Sequence, residues 1–170
     1  MYFAHLPAGY ITSKLFVKKF EISKVRAKTF ISWGMFGAIA PDLDFIYYFV
    51  DHGKHHHHQY FTHFPLVWLV LLLLSLLAWL LDFHRGQATA LAFIFTFNGF
   101  IHTLLDTIAG YVLIFAPFAD MNKPVTLAHY FPWDEGFLEL FVILWALYLW
   151  KKDQILDMFS KMGSSLDMIE

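Results

Sequence analysis

Ala40-Pro41-Asp42-Leu43-Asp44 sets two carboxylates into a stretch, Phe30 to Val50, that carries no other charge. At membrane depth each ionised side chain costs at least ~2.5–3.5 kcal/mol on insertion scales. Two so close together need a cation, a water-filled cavity or a shared proton. Elsewhere the chain offers His5, His58, His63, His102 and Asp106 as further candidate ligands. These residues predict an all-α protein whose helices gather around a metal site beginning at Asp42 and Asp44.

Composition supports a membrane setting. The 170 residues are 58% hydrophobic and 15% charged, against about 25% charged in soluble domains. A single domain over residues 1–170 fits this length. The net charge of −2 gives no polyelectrolyte match to nucleic acid, so none is expected as a partner. Cysteine does not occur, which excludes disulfides, zinc fingers and thiol nucleophiles; a transition-metal site must use His, Asp and Glu. The N-terminus shows no charged region leading into an apolar core, so no cleaved signal peptide is expected.

Working outward, an N-terminal helix is expected within residues 8–20, followed by a basic segment, Lys14 to Lys28, suited to anionic headgroups. Phe30 to Val50 reads as a first membrane segment broken at Pro41, because proline removes a ladder hydrogen bond. Gly34 and Gly37 allow close helix approach just before the break. Phe64–Leu81, Ala88–Asp106 and Gly136–Trp150 supply three more segments, about four in all. Residues 107–135 read as a loop, and 153–170 as a cytoplasmic tail helix.

Between the first two segments lies Asp51 to His63, with four consecutive histidines, His55 to His58. Neighbouring histidines cannot all reach one ion, so one or two of them are expected to contribute. Placing both termini and the Asp82–Gln87 turn in the cytoplasm puts ten of the twelve Lys and Arg inside, as the positive-inside rule prefers. That arrangement gives a multi-pass protein of a bacterial inner membrane, with His63 and Asp106 on the outer side. His5 reaches an outer-half site only if the first helix runs inward from it through the bundle.

Asn98, His102 and Asp106 recur at four-residue spacing and share one helical stripe. His102 and Asp106 can thus present imidazole nitrogen and carboxylate oxygen to one ion. Mixed nitrogen and oxygen ligands suit a divalent metal, zinc first, with Mn²⁺ or Fe²⁺ as alternatives. Such an ion lowers the pKa of water toward ~7 and stabilises anionic transition states. With no nucleophile-elbow serine, metal-activated water is the best nucleophile available, with Asp42 or Asp44 to orient it. Asn98 could hydrogen-bond a ligand or tie helices together.

His5, Pro41-Asp42-Leu43-Asp44, His58-Gln59-Tyr60-Phe61-Thr62-His63, His102-Thr103-Leu104-Leu105-Asp106 and the run from Gly110 to Pro117 occur in this order. In these motifs the chain resembles the LexA-regulated, membrane-bound, metal-dependent hydrolase family (YdjM-like). That family is distantly similar to the all-α phospholipase C and P1 nuclease group, whose zinc cluster cleaves phosphodiesters. The resemblance implies His5, Asp44, His63, His102 and Asp106 as metal ligands, with Asp42 and His58 next. His129 and Glu135 or Glu139 are stand-ins for later ligands. Gln59 and Tyr60 replace the family's Arg and Gly, and Phe64 its Ser, so an arginine for phosphate is not carried over. The implied function is hydrolysis of a membrane lipid or phosphoester. The alternative is a non-catalytic metal-binding membrane protein, a transporter or sensor; the plainest is a structural membrane subunit.

Overall fold

The computed structural model describes residues 3–52, 57–82, 86–118, 125–126 and 135–166. Among them are six α-helices and no strand: α1 (His5–Phe16), α2 (Ala27–Ile39), α3 (Phe45–Val50), α4 (Pro65–Leu81), α5 (Gln87–Ala109) and α6 (Glu135–Leu166). The all-α expectation holds. Four membrane spans are not established: Gln87–Ile108 in α5 is the one described helix long and apolar enough to cross a bilayer, and Pro65–Leu81 is a shorter apolar helix.

The first apolar run is broken where proline dictates. Helix α2 stops at Ile39, Pro41–Asp44 form one 3-10 turn, and only then does α3 begin. Pro41 has no N–H to lose at the start of a turn. The carboxylates therefore sit on the 3-10 turn rather than in the first turn of a second half-helix. At 13 residues α2 is too short to span alone, since a crossing needs about 20. At the other end of the chain, the expected last segment and tail form one continuous 32-residue helix, α6. Its apolar half runs into Lys151 and Lys152 without a helix-breaking residue.

Helices α1, α2, α4 and α5 alternate in direction, and the main packing pairs are α2–α5, α4–α5 and α1–α2. At one end, Phe20, Phe30, Ala90, Phe93 and Ile94 form an aromatic-rich core, with Trp79 and Phe16 packed against it. Phe20 and Phe93 stack at 5.1 Å between ring centres. The opposite end gathers the start of α1, the end of α2, the start of α4 and the end of α5, where the candidate ligands lie. Glu139 of α6 belongs to that end as well: its carboxylate accepts hydrogen bonds from the backbone N–H groups of Phe3 and Ala4, the latter at 3.1 Å. It thus satisfies donors that the first turn of α1 leaves open. Leu71, Leu73 and Leu74 of α4 are exposed, as lipid-facing leucines would be.

Gly34 and Gly37 act as expected. A Cβ on Gly37 would lie 2.2 Å from the carbonyl oxygen of Phe95, and one on Gly34 2.0 Å from Ser13 Oγ. Backbone meets backbone at α2–α5, so Gly37→Ala must push the helices apart. A loss of ~1–3 kcal/mol or more is expected, read as an earlier midpoint when the detergent-purified protein is unfolded with SDS. Leu74→Ala, on the exposed face, is the control expected to leave the midpoint unchanged.

Candidate metal centre

Five separate pieces of chain deliver side chains to the ligand end. His5 opens α1, Asp42 and Asp44 come from the 3-10 turn after α2, His58 and His63 from two 3-10 turns before α4, and His102 and Asp106 from adjacent turns of α5. All but two are almost wholly buried. Asp42 keeps 33% of its side chain exposed and His58 13%, so the cluster opens on their side.

Three histidines are held by their Nδ1 atoms. His102 Nδ1 lies 2.6 Å from the carbonyl oxygen of Ala38, and His58 Nδ1 3.0 Å from that of Tyr111. Carbonyls only accept, which assigns the proton to Nδ1 in both rings. His63 Nδ1 donates to the buried carboxylate of Asp44. Each ring in its neutral form then presents an Nε2 lone pair inward. Backing of this kind fixes the tautomer and orientation of metal-bound histidines.

The inward atoms crowd together. His63 Nε2 and His102 Nε2 are 3.3 Å apart. Asp106 Oδ2 lies 3.1 Å from His102 Nε2, 3.5 Å from His63 Nε2 and 3.7 Å from His58 Nε2. Asp42 Oδ1 is 3.6 Å from both His63 Nε2 and His102 Nε2. Four ligands on an ion with bonds of ~2.0–2.1 Å stand ~3.3 Å apart in a tetrahedron. The observed separations match those edges, so the residues fit a divalent cation. Two groups of three meet the spacing: His5, Asp42 and His102, and His58, His63 and Asp106.

His5 joins the cluster from α1. Its Nε2 is 3.1 Å from Asp106 Oδ1, and its ring stacks on His102 at 3.7 Å. Helix α1 therefore does run away from the ligand end through the bundle, the geometry His5 required. Asp44 stands apart from Asp42: it is turned to the back of His63, its Oδ1 buried without a hydrogen-bond partner among the described residues. Asn98 does not reach the cluster. It takes a hydrogen bond from Thr12, donates to Ser13 Oγ at 3.3 Å, and so ties α5 to α1. Glu139 is engaged at the start of α1. His55, His56 and His129 lie outside the described residues, and the side chains of His57 and Glu135 do as well.

The backbone carbonyls of Ala38 and Tyr111 are the parts that motif reading missed. No side-chain signal marks a carbonyl; only the helix end at Ile39 and the turn after Gly110 aim them.

A helical protein of apolar surface with a buried His/Asp centre at one end of its bundle is the class these features define. Residues 1–165 match the family described as YdjM inner membrane protein, and the chain belongs to that family, which places it in the inner membrane. No curated protein and no solved structure matches it.

His63 sets the pH response. Burial pushes its pKa down, but hydrogen bonds to Asp106 and Asp44 outweigh burial and raise it to about 9. Below that pH a proton stands where a cation would bind, so metal affinity is expected to rise with pH until about 9 and release a proton on binding. Asp44→Asn removes a carboxylate that holds the proton. It is expected to shift this dependence toward acid while lowering affinity at high pH by ~10–100-fold, as measured by calorimetric Mn²⁺ titration.

Proposed function

We propose that the protein is a membrane-bound, divalent-metal-dependent hydrolase acting on a lipid or phosphoester, with zinc the best-fitting ion. One observation carries this reading: the Nε2 atoms of His63 and His102 face each other at 3.3 Å with their protons assigned to the far side of each ring. Opposed lone pairs in a buried pocket are repulsive unless a positive charge stands between them. The proton on His63 meets that demand below about pH 9, and a divalent cation meets it with four matching donors.

When bound, the cation supplies Lewis acidity and lowers the pKa of water toward ~7. His63, His102, Asp106 and Asp42 would hold it. Asp42 is the most open of these and lies on the side from which water and substrate arrive. Its carboxylate is placed to orient water and take its proton. Asp44 is a positioning residue, fixing the His63 ring through Nδ1. The ligand end stands remote from the basic segment at Lys14–Lys28 and from Lys151 and Lys152, which are twelve or more residues down α6 from Glu139, ~18 Å along a helix. That separation supports a centre near the outer face with the basic end in the cytoplasm. Phe3→Cys, 75% exposed beside His5, is expected to react with a membrane-impermeant maleimide from outside the cell membrane. Labelling from the cytoplasm alone would reverse the orientation.

The activity test uses detergent-purified protein, phosphatidylethanolamine–phosphatidylglycerol micelles and bis(p-nitrophenyl) phosphate. Hydrolysis is expected to stop with chelator and return with Zn²⁺ or Mn²⁺. His102→Ala and Asp106→Asn are each expected to lower it at least ~100-fold, in the range seen when transition-state electrostatic partners are removed. Tight metal binding with no ester turnover would instead make the centre a sensing or transport site.

A further inference from the structure

We propose that the substrate is an amphiphile resident in the bilayer, whose apolar chain lies along α3 while its ester head reaches the opening beside Asp42. The proposal rests on the hydrolase reading above and adds the class of substrate and the route by which it arrives.

Helix α3 leaves its apolar surface uncovered. Its six residues, Phe-Ile-Tyr-Tyr-Phe-Val, are all aliphatic or aromatic, and none is buried. Ile46 is 62% exposed and Val50 72%. Leu43, Ile46, Tyr47 and Val50 are all exposed and recur at helical spacing, so they share one stripe. Such a surface is costly in water and stable against hydrocarbon. The inner-membrane family to which the chain belongs places it beside hydrocarbon.

The helix is held at both ends. At its start, Asp44 is buried against His63. At its end, Asp51 accepts a hydrogen bond from the Tyr60 hydroxyl. Tyr47 meets Tyr60 at 5.9 Å and Phe61 at 6.3 Å between ring centres. These tethers fix in place a face that no described residue covers.

Its position beside the centre selects the occupant. Leu43 follows Asp42 directly, so the exposed stripe starts one residue from the most open carboxylate of the cluster. Helix α3 touches the turn that carries His58, the other partly open side chain. Phe61 is 57% exposed, and Tyr111, whose carbonyl holds His58, is 56% exposed. The rim is therefore apolar where the centre opens. A neighbouring protein helix seated on α3 would crowd that opening, whereas a single lipid tail lying there brings its head to Asp42. Because the stripe starts beside Asp42, the chain of the substrate begins next to its scissile group.

Charge favours the same occupant. Every Lys and Arg whose side chain is described lies within Lys14–Lys28 or at Lys151 and Lys152. No described ammonium or guanidinium stands at the opening to steer a soluble phosphoester inward, which leaves the apolar chain to supply affinity. Each buried methylene contributes about fourfold in binding. At six residues α3 is ~9 Å long, enough to bury several methylenes.

Two measurements on the full chain in phosphatidylethanolamine–phosphatidylglycerol nanodiscs test the proposal. The chain has no cysteine, so a nitroxide can be attached through Ile46→Cys or Val50→Cys alone. Both labels are expected to collide with oxygen more than with a water-soluble nickel chelate, matching a label at Leu74→Cys on the exposed face of α4. Nickel access at both positions puts α3 in water and overturns the proposal. Access to neither reagent puts another protein surface, such as a second copy, on α3 and overturns it as well. The second measurement compares hexadecyl p-nitrophenyl phosphate with methyl p-nitrophenyl phosphate in the presence of Zn²⁺ or Mn²⁺. Each hydrolysis adds water across the same P–O bond and releases p-nitrophenol and the alkyl phosphate. The hexadecyl probe is expected to have a kcat/KM at least ~100-fold higher, the effect of about four buried methylenes. In the double variant Ile46→Ser, Phe61→Ser that ratio is expected to fall at least ~10-fold. Equal values for the two probes overturn the proposal and leave the hydrolase reading standing. A preference that the double variant retains does the same, because the tail then rests elsewhere. Turnover of neither probe removes the hydrolase reading, and this proposal with it.

Discussion

Opposed imidazole lone pairs are the constraint on which the ligand end depends. His63 and His102 are each fixed from behind, by the Asp44 carboxylate and the Ala38 carbonyl, and neither ring can turn away without abandoning a buried acceptor. The fold therefore keeps like poles in contact and leaves the balance to a proton or a metal. That choice accounts for Asp44 better than a direct bond to an ion does. A carboxylate buried to this depth is costly alone and sustainable against a ring that carries positive charge or binds it.

The remainder of the bundle serves to hold those rings in register. Four helix ends meet at one level because α1, α2, α4 and α5 alternate in direction, and glycine contacts let α2 lie against α5 at backbone distance. The aromatic core at the opposite end fills the volume below with Phe20, Phe30 and Phe93 rather than with polar groups. Stiff packing at one end and crowded charge at the other divide the labour of a small chain. The Asn98–Ser13 and Ser75–Thr96 hydrogen bonds link α5 to α1 and to α4 between the two.

Much of this arrangement was legible in the sequence. Charge inside an apolar stretch exposed Asp42 and Asp44; helical spacing joined His102 to Asp106; proline announced the break at residue 41. These signals are local, and local geometry follows from residue type. That Asp42 faces the Nε2 atoms and Asp44 the back of His63 was not legible, because both have the same neighbours in sequence and differ only in what the 3-10 turn lets each one face. Nor could spacing reveal that Ala38 and Tyr111 would steer two rings through their carbonyls. The length of α6 was misjudged for a related reason: a change from apolar to charged residues marks a change of surroundings, and a helix can cross it unbroken.

The grip of Glu139 on Phe3 and Ala4 joins α6 to the turn just before His5. His5 follows at once, so the turn that leads into it is tied to a carboxylate 136 residues along the chain from Phe3, a closure that translation can complete only after residue 139 has been made.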